Sequence, residues 1–199
     1  MIRTRVGYSG GTRLNPTYYR LGDHTETIQI DYDPAKLSYE QLLDMFWASH
    51  SPARKSWSRQ YMAAIFYHNE EQKRLAIKTR DREAERLQQK IYTEILPASE
   101  FYRAEAYHQK YYLRQVPELM KEFSSRYPDT GNFISSTAVA RVNGYVGGYG
   151  TLQVLQNVID TFGLSPAGTK RLAEMVSALD KNAHHVAEGG AFCPLPRLW

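Results

Sequence analysis

The segment Met62-Ala63-Ala64-Ile65-Phe66-Tyr67 is an unbroken apolar run that leads almost directly into Asn69, an N-cap residue followed by a long charged stretch. Such a run has strand length, so it predicts a buried strand over 62–67 that feeds a helix from Glu70 to about Lys90. That helix carries only sparse apolar contacts, Leu75, Ile77 and Leu87, and its charges make a solvated face. The basic stretch from Lys73 to Arg86 is interleaved with Asp81, Glu83 and Glu85 and therefore forms a mixed surface.

The same signals recur along the chain. Ile2 to Tyr8 reads as a strand closed by the turn Ser9-Gly10-Gly11, and Thr27 to Tyr32 alternates apolar and polar residues until Asp33-Pro34 stops it. Ser38 with Gln41 three residues on forms a capping box ahead of Leu42, Leu43, Phe46 and Trp47, which predicts an amphipathic helix up to His50 with Phe46 and Trp47 in the core. Ile91 to Leu96 reads as a strand stopped by Pro97, and Ala104 to Tyr112 as a short aromatic-rich helix. Beyond Gly131 the composition changes to two helical stretches broken at Gly163-Leu164-Ser165-Pro166. The division expected is a core over 1–130 and a helical extension over 131–199 that ends in a flexible glycine- and proline-rich tail from Glu188.

Composition limits the function classes. A net charge of +4, from 25 basic and 21 acidic residues, favours acidic partners only weakly and argues against a nucleic-acid binder. No apolar run approaches the roughly 20 residues of a membrane span, and no signal region follows Met1, so a soluble, cytoplasmic monomer is expected. One cysteine, Cys193, excludes an internal disulfide framework. Neither His24 nor His108 has a second ligand at zinc spacing, so no metal is expected.

Four polar constellations stand out, and their order along the chain is the specific signal. Val6-Gly7-Tyr8-Ser9-Gly10-Gly11 with Asn15-Pro16-Thr17-Tyr18 is a glycine turn and loop suited to holding a tyrosine hydroxyl over a pocket. Asp23-His24-Thr25-Glu26 opens a strand, where a partly desolvated carboxyl becomes a candidate proton donor. Arg59-Gln60-Tyr61 enters the apolar strand, and Ala106-Tyr107-His108-Gln109 sits on the later helix. The fifteen tyrosines of the chain mean that most must pack rather than react.

Taken in this order, from the glycine-rich start through Tyr112, the sequence resembles the A-type peptide methionine sulfoxide reductases. The stretch Asn143-Gly144-Tyr145-Val146-Gly147 is similar to a longer subgroup with a helical extension. The resemblance implies an α+β fold, a ferredoxin-like two-layer α/β sandwich, and reduction of free and protein-bound methionine-S-sulfoxide with thioredoxin or another thiol as reductant and no cofactor. It makes Glu26 the acid that protonates the sulfoxide oxygen and Tyr18 and Tyr61 the hydroxyls that hydrogen-bond it. Tyr8, Gly10, Gly11, Asp23, His24, Tyr107 and His108 are then the expected substrate-binding residues.

Departures from the pattern are equally plain. The family nucleophile, a cysteine or selenocysteine in Gly-Cys-Phe-Trp-Gly, has no counterpart in this sequence. The Tyr18-to-Glu26 loop is shorter than in the commonest pattern, and Ser56 or a neighbour stands where many members have an aspartate. Val146 stands where some members have a resolving cysteine, which leaves Cys193 as the candidate resolving thiol. A soft nucleophile is required for this reduction, so the chain as written is expected to be inactive, with its first central strand missing. The expected explanation is an incorrectly assigned start at Met1, such as a selenocysteine codon read as a stop; an organelle-targeting segment would also lie upstream. The alternative is a catalytically dead sulfoxide-binding protein, or an interaction module built on the apolar faces of Leu152, Val154, Leu155, Val158, Ile159 and Leu172.

Overall fold

A computed structural model describes residues 1–188, and two compact units emerge: Arg5–Glu105 together with Met1, and Ile2–Thr4 together with the chain from Ala106 on. The first unit is mixed α/β. Strands β1 (Arg3–Ser9) and β2 (Thr25–Asp31) are followed by helix α1 (Tyr39–Ala48), strand β3 (Ala64–Tyr67), helix α2 (Glu70–Leu87) and strands β4 (Glu94–Pro97) and β5 (Tyr102–Arg103). The mixed α/β character is as expected. The strands, however, form two sheets: a three-stranded sheet ordered β2-β1-β5, with β1 and β5 antiparallel, and a two-stranded parallel sheet of β3 and β4.

Local chemistry accounts for these elements. Ser38 accepts the amide of Gln41 at 3.1 Å while the Gln41 side chain accepts the Ser38 amide at 2.8 Å, which completes the capping box of α1. Asn69 caps α2 through the amide of Gln72 at 2.9 Å. β3 pairs Ala64, Ile65, Phe66 and Tyr67 with Glu94, Ile95, Leu96 and Pro97 in turn, and α2 makes the crossover that two parallel strands require. Leu43 and Trp47 of α1, Ile65 of β3 and Ala76 of α2 form the buried cluster on this sheet.

Two expectations about this region need correction. The run 62–67 becomes a strand only from Ala64, and within it only Ile65 is buried, because a two-stranded sheet has one covered face for alternate residues to enter. Of the aliphatics expected to make the contacts of α2, Leu75 packs half-buried against the cluster, but the buried residues of the helix are Ala76, Thr79 and Glu83. Thr79 is buried because its hydroxyl accepts the Trp47 indole N–H at 2.9 Å and donates to the Ala76 carbonyl at 3.1 Å.

His50, just beyond α1, donates from Nδ1 to the Phe46 carbonyl at 2.8 Å and accepts the Thr93 hydroxyl at Nε2, 3.0 Å. Burial pushes its pKa below the ordinary 6.5, partly offset by the Phe46 bond. The unfolded chain therefore takes up this proton at a higher pH than the folded one, so the stability His50 contributes is full above pH 6.5 and falls as the pH drops below it. Urea midpoints followed from pH 8 to pH 5 should decline for the parent and decline less for His50→Gln; identical slopes would reject the assignment.

The second unit is helical. A 3-10 turn at Ala106–His108 is followed by α3 (Tyr111–Arg114), α4 (Pro117–Arg126), α5 (Thr130–Ser135), α6 (Thr137–Val146), α7 (Leu152–Gln156), a second 3-10 turn at Ile159–Phe162, and α8 (Pro166–Glu188). The aromatic helix expected over 104–112 is thus broken, because Lys110 adopts the left-handed conformation at φ 56°. Its buried ammonium donates to the Thr4 carbonyl at 2.7 Å and the Thr4 hydroxyl at 2.9 Å, contacts that a continuous helix would not need. Residues 106–130, expected with the core, pack here, since Leu113, Val116, Leu119 and Phe123 share one buried cluster with Phe133, Val142, Leu155, Phe162 and Leu172. Leu155, Ile159 and Leu172 are spent in that cluster, so the apolar faces proposed for an interaction module are turned inward; only Val154 of that set stays exposed.

Candidate functional site

The glycine turn after β1 is fixed by two side chains that sequence reasoning placed together. Asp23 accepts the Thr12 amide at 2.8 Å and 3.0 Å, the Thr12 hydroxyl at 3.0 Å and the Arg13 amide at 3.3 Å. The Thr12 amide, first among these donors, holds the carboxyl down at about 2. His24, fully buried, accepts the Gly11 amide at Nδ1, 3.2 Å, and donates from Nε2 to the Arg13 carbonyl at 2.7 Å. Both residues, expected to bind substrate, are occupied in shaping the 10–13 turn.

The glycines follow from this packing. A Cβ on Gly11 would lie 2.6 Å from both the His24 amide nitrogen and Asp23 Oδ1. Gly10 sits at φ 80°, and a Cβ there would meet the Phe66 ring at 2.7 Å. The Gly10 amide donates to Ser99 Oγ at 3.0 Å.

Glu26 stands at the mouth of β2, where the segment 59–61 is fastened alongside it. The Thr25 hydroxyl donates to the Arg59 carbonyl at 3.0 Å, and the Glu26 amide donates to the Gln60 carbonyl at 3.0 Å. The Gln60 side-chain amide donates to Glu26 Oε1 at 2.7 Å. Arg59 closes the arrangement, with Nε on the Asp23 carbonyl at 2.9 Å and a terminal nitrogen on the Gly10 carbonyl at 3.3 Å. Tyr61 follows directly in sequence, 41% exposed, with its ring 5.3 Å from that of Trp57. The half-buried Glu26 carboxyl and the segment that leads into Tyr61 are therefore joined at one locus.

The other two tyrosines are joined by a residue that sequence reasoning missed. Glu105 accepts the Tyr8 hydroxyl at Oε2, 2.7 Å, and the Tyr18 amide at Oε1, 3.1 Å. Tyr8 is buried, so its hydroxyl is structural, whereas the half-buried ring of Tyr18 packs beside Tyr8 and Leu21 and edge-on to Tyr19. No local sequence signal points to Glu105, because its partners lie 97 and 87 residues away. Glu105→Ala should lower stability by about 1–3 kcal/mol by leaving a buried phenol without its acceptor. Chemical denaturation checks this, and Tyr8→Phe in the Glu105→Ala background should then cost almost nothing more.

Tyr107 and His108 belong to the helical unit, with their rings 4.3 Å apart. In that unit Val146 ends α6 and packs partly buried against the helical core. Cys193 lies outside the described residues.

Comparison with known proteins places this arrangement. The model of the peptide methionine sulfoxide reductase family matches residues 1–138. The chain is 41% identical over 169 residues to a peptide methionine sulfoxide reductase of Drosophila melanogaster, covering 83% of this chain and 67% of that protein. It is 38% identical over 151 residues to peptide methionine sulfoxide reductase A5 of Arabidopsis thaliana, covering 73% of this chain but 59% of that protein. The chain thus spans roughly three-fifths to two-thirds of the length of these relatives. The reduced form of Mxr1 from Saccharomyces cerevisiae superposes with a TM-score of 0.52 at 28% identity, over 57% of this chain and 71% of that one. With the family match running through β1, the Glu26 strand, the Tyr61 segment and the Glu105 clamp, the chain belongs to the peptide methionine sulfoxide reductase family.

Proposed function

We propose that this chain binds methionine-S-sulfoxide, free or within proteins, and serves its reduction to methionine at the expense of thiols. The observation that carries the reading is the Glu26 carboxyl, oriented by the side-chain amide of Gln60, the residue before Tyr61, in a chain of this family. In this reading Tyr18 and Tyr61 hold the sulfoxide oxygen and Glu26 gives it a proton. That transfer makes the sulfur electrophilic toward a thiolate. The thiolate forms a bond to sulfur as the oxygen is lost, and a second thiol completes the step, so two thiols become one disulfide and the oxygen leaves as water. Thioredoxin or another thiol is the electron source, and no cofactor is required.

The nucleophile has to come from a thiol or selenol other than a Gly-Cys-Phe-Trp-Gly cysteine of these 199 residues, since the one cysteine here is Cys193. Recognition and reduction are therefore separable by experiment. Calorimetry of the chain with methionine-S-sulfoxide, its R epimer and methionine should show binding of the S epimer alone. With dithiothreitol present the chain should leave the sulfoxide unreduced, and a version carrying Gly-Cys-Phe-Trp-Gly ahead of Met1 should reduce it. Equal affinity for all three compounds would overturn the reading.

A further inference from the structure

Around the Glu26–Tyr61 locus, the loops 12–15 and 54–61 expose cations and aromatic rings together. Arg13, Arg54, Lys55 and Arg59 are all exposed, and Trp57 is 83% exposed beside Tyr61. These loops form one surface, since Arg59 donates to the Asp23 carbonyl while Asp23 accepts the Arg13 amide. Among the described residues none of these four cations has a carboxylate within ion-pair distance, whereas Arg80, Arg82 and Arg86 on α2 are each paired with a neighbouring acid. The carboxylates nearest in the chain are already engaged: Asp23 accepts the Thr12 and Arg13 amides and Glu26 accepts from Gln60. Four exposed cations are thus gathered on these two loops, against the two carboxylates of Asp23 and Glu26.

We propose that this basic, aromatic rim selects methionine sulfoxide carried on extended acidic polypeptide segments. The inference rests on the methionine sulfoxide reading and specifies its substrate class. Unpaired guanidinium and ammonium groups attract carboxylates over about 8 Å at physiological salt. The exposed indole of Trp57, beside the Tyr61 ring, gives a flat apolar contact for residues flanking the sulfoxide. A polypeptide is favoured over a nucleic acid because the rim is continuous with Tyr61, which the reading assigns to the sulfoxide oxygen.

The test measures binding of labelled peptides to the full chain by fluorescence anisotropy. One set holds methionine-S-sulfoxide fixed between aspartate, serine or lysine flanks; a second holds aspartate flanks fixed and exchanges the sulfoxide for norleucine. The aspartate-flanked sulfoxide should bind at least about tenfold more tightly than the lysine-flanked one in low salt, with the gap narrowing as salt is raised. The double substitution Arg54→Glu/Lys55→Glu, on exposed loop residues, should remove or invert the preference while the serine-flanked peptide binds as before. Equal binding of the three flanks, or an unchanged preference in the double variant, would overturn the proposal and leave the sulfoxide reading standing. Loss of the distinction between sulfoxide and norleucine would overturn the sulfoxide reading instead. Tighter binding of a single-stranded oligonucleotide than of the acidic peptide would overturn the proposal in favour of a nucleic-acid surface.

Discussion

Glu26→Gln, introduced into the protein supplied with a Gly-Cys-Phe-Trp-Gly segment, should lower sulfoxide turnover by about 10²–10⁴-fold, the range associated with a positioned proton donor. The substitution removes the acidic proton and almost nothing else. A glutamine at 26 keeps a carbonyl oxygen able to accept the Gln60 amide, now 2.7 Å from Glu26 Oε1, and its own backbone amide still donates to the Gln60 carbonyl at 3.0 Å. Substrate affinity should therefore change little while turnover falls. Tyr61→Phe should do less, because it deletes one hydrogen bond to the oxygen and leaves the proton donor in place. A variant that turns over like the parent across the pH range would remove Glu26 from the mechanism.

Phe123→Ala should cost the helical unit about 3–5 kcal/mol, the expense of a fully buried aromatic truncated to a methyl. Phe123 is 1% exposed on α4 and stacks on Tyr127 with ring centroids 6.5 Å apart, and it shares its cluster with Leu119, Phe162 and Leu172. These neighbours come from three separate elements, so collapse around the cavity would have to move helices rather than rotate one side chain. Far-ultraviolet circular dichroism under urea gives the result directly. A loss below about 1 kcal/mol would mean that the cluster is not close-packed at that point.

What was legible in the sequence was what chemistry fixes locally. The Ser38–Gln41 capping box and the Asn69 cap depend on residues within a few positions of one another, and each stands as read. The two helical stretches expected beyond Gly131, broken at 163–166, are instead α5, α6, α7 and α8, because Ser136 and Gly147 end helices before that break. The grouping of Gly10, Gly11, Asp23, His24 and Glu26 was legible too, since a short loop joins them. Their division of labour was not. His24 and Asp23 shape the turn through contacts to Gly11, Thr12 and Arg13, which their residue types allow but do not announce. Glu105, meeting Tyr8 and Tyr18 from across the chain, and Lys110, buried against Thr4, depend on tertiary placement alone. The apolar run at 62–67 signalled a strand correctly but overstated its burial, because periodicity cannot tell how many faces of a strand the rest of the fold will cover.

The strip 59–61 is held to the mouth of β2 chiefly through main-chain groups: the Gly10, Asp23, Arg59 and Gln60 carbonyls and the Glu26 amide. The acceptors are peptide groups common to every residue, so the attachment depends on the side chains that reach them, the Thr25 hydroxyl and the Arg59 guanidinium, and not on what stands at position 61. The loop is in this respect a fixed mount with a replaceable tool. Selection can retune the side chain at position 61, or the charges at 54 and 55, while the attachment of the strip to β2 is inherited unchanged.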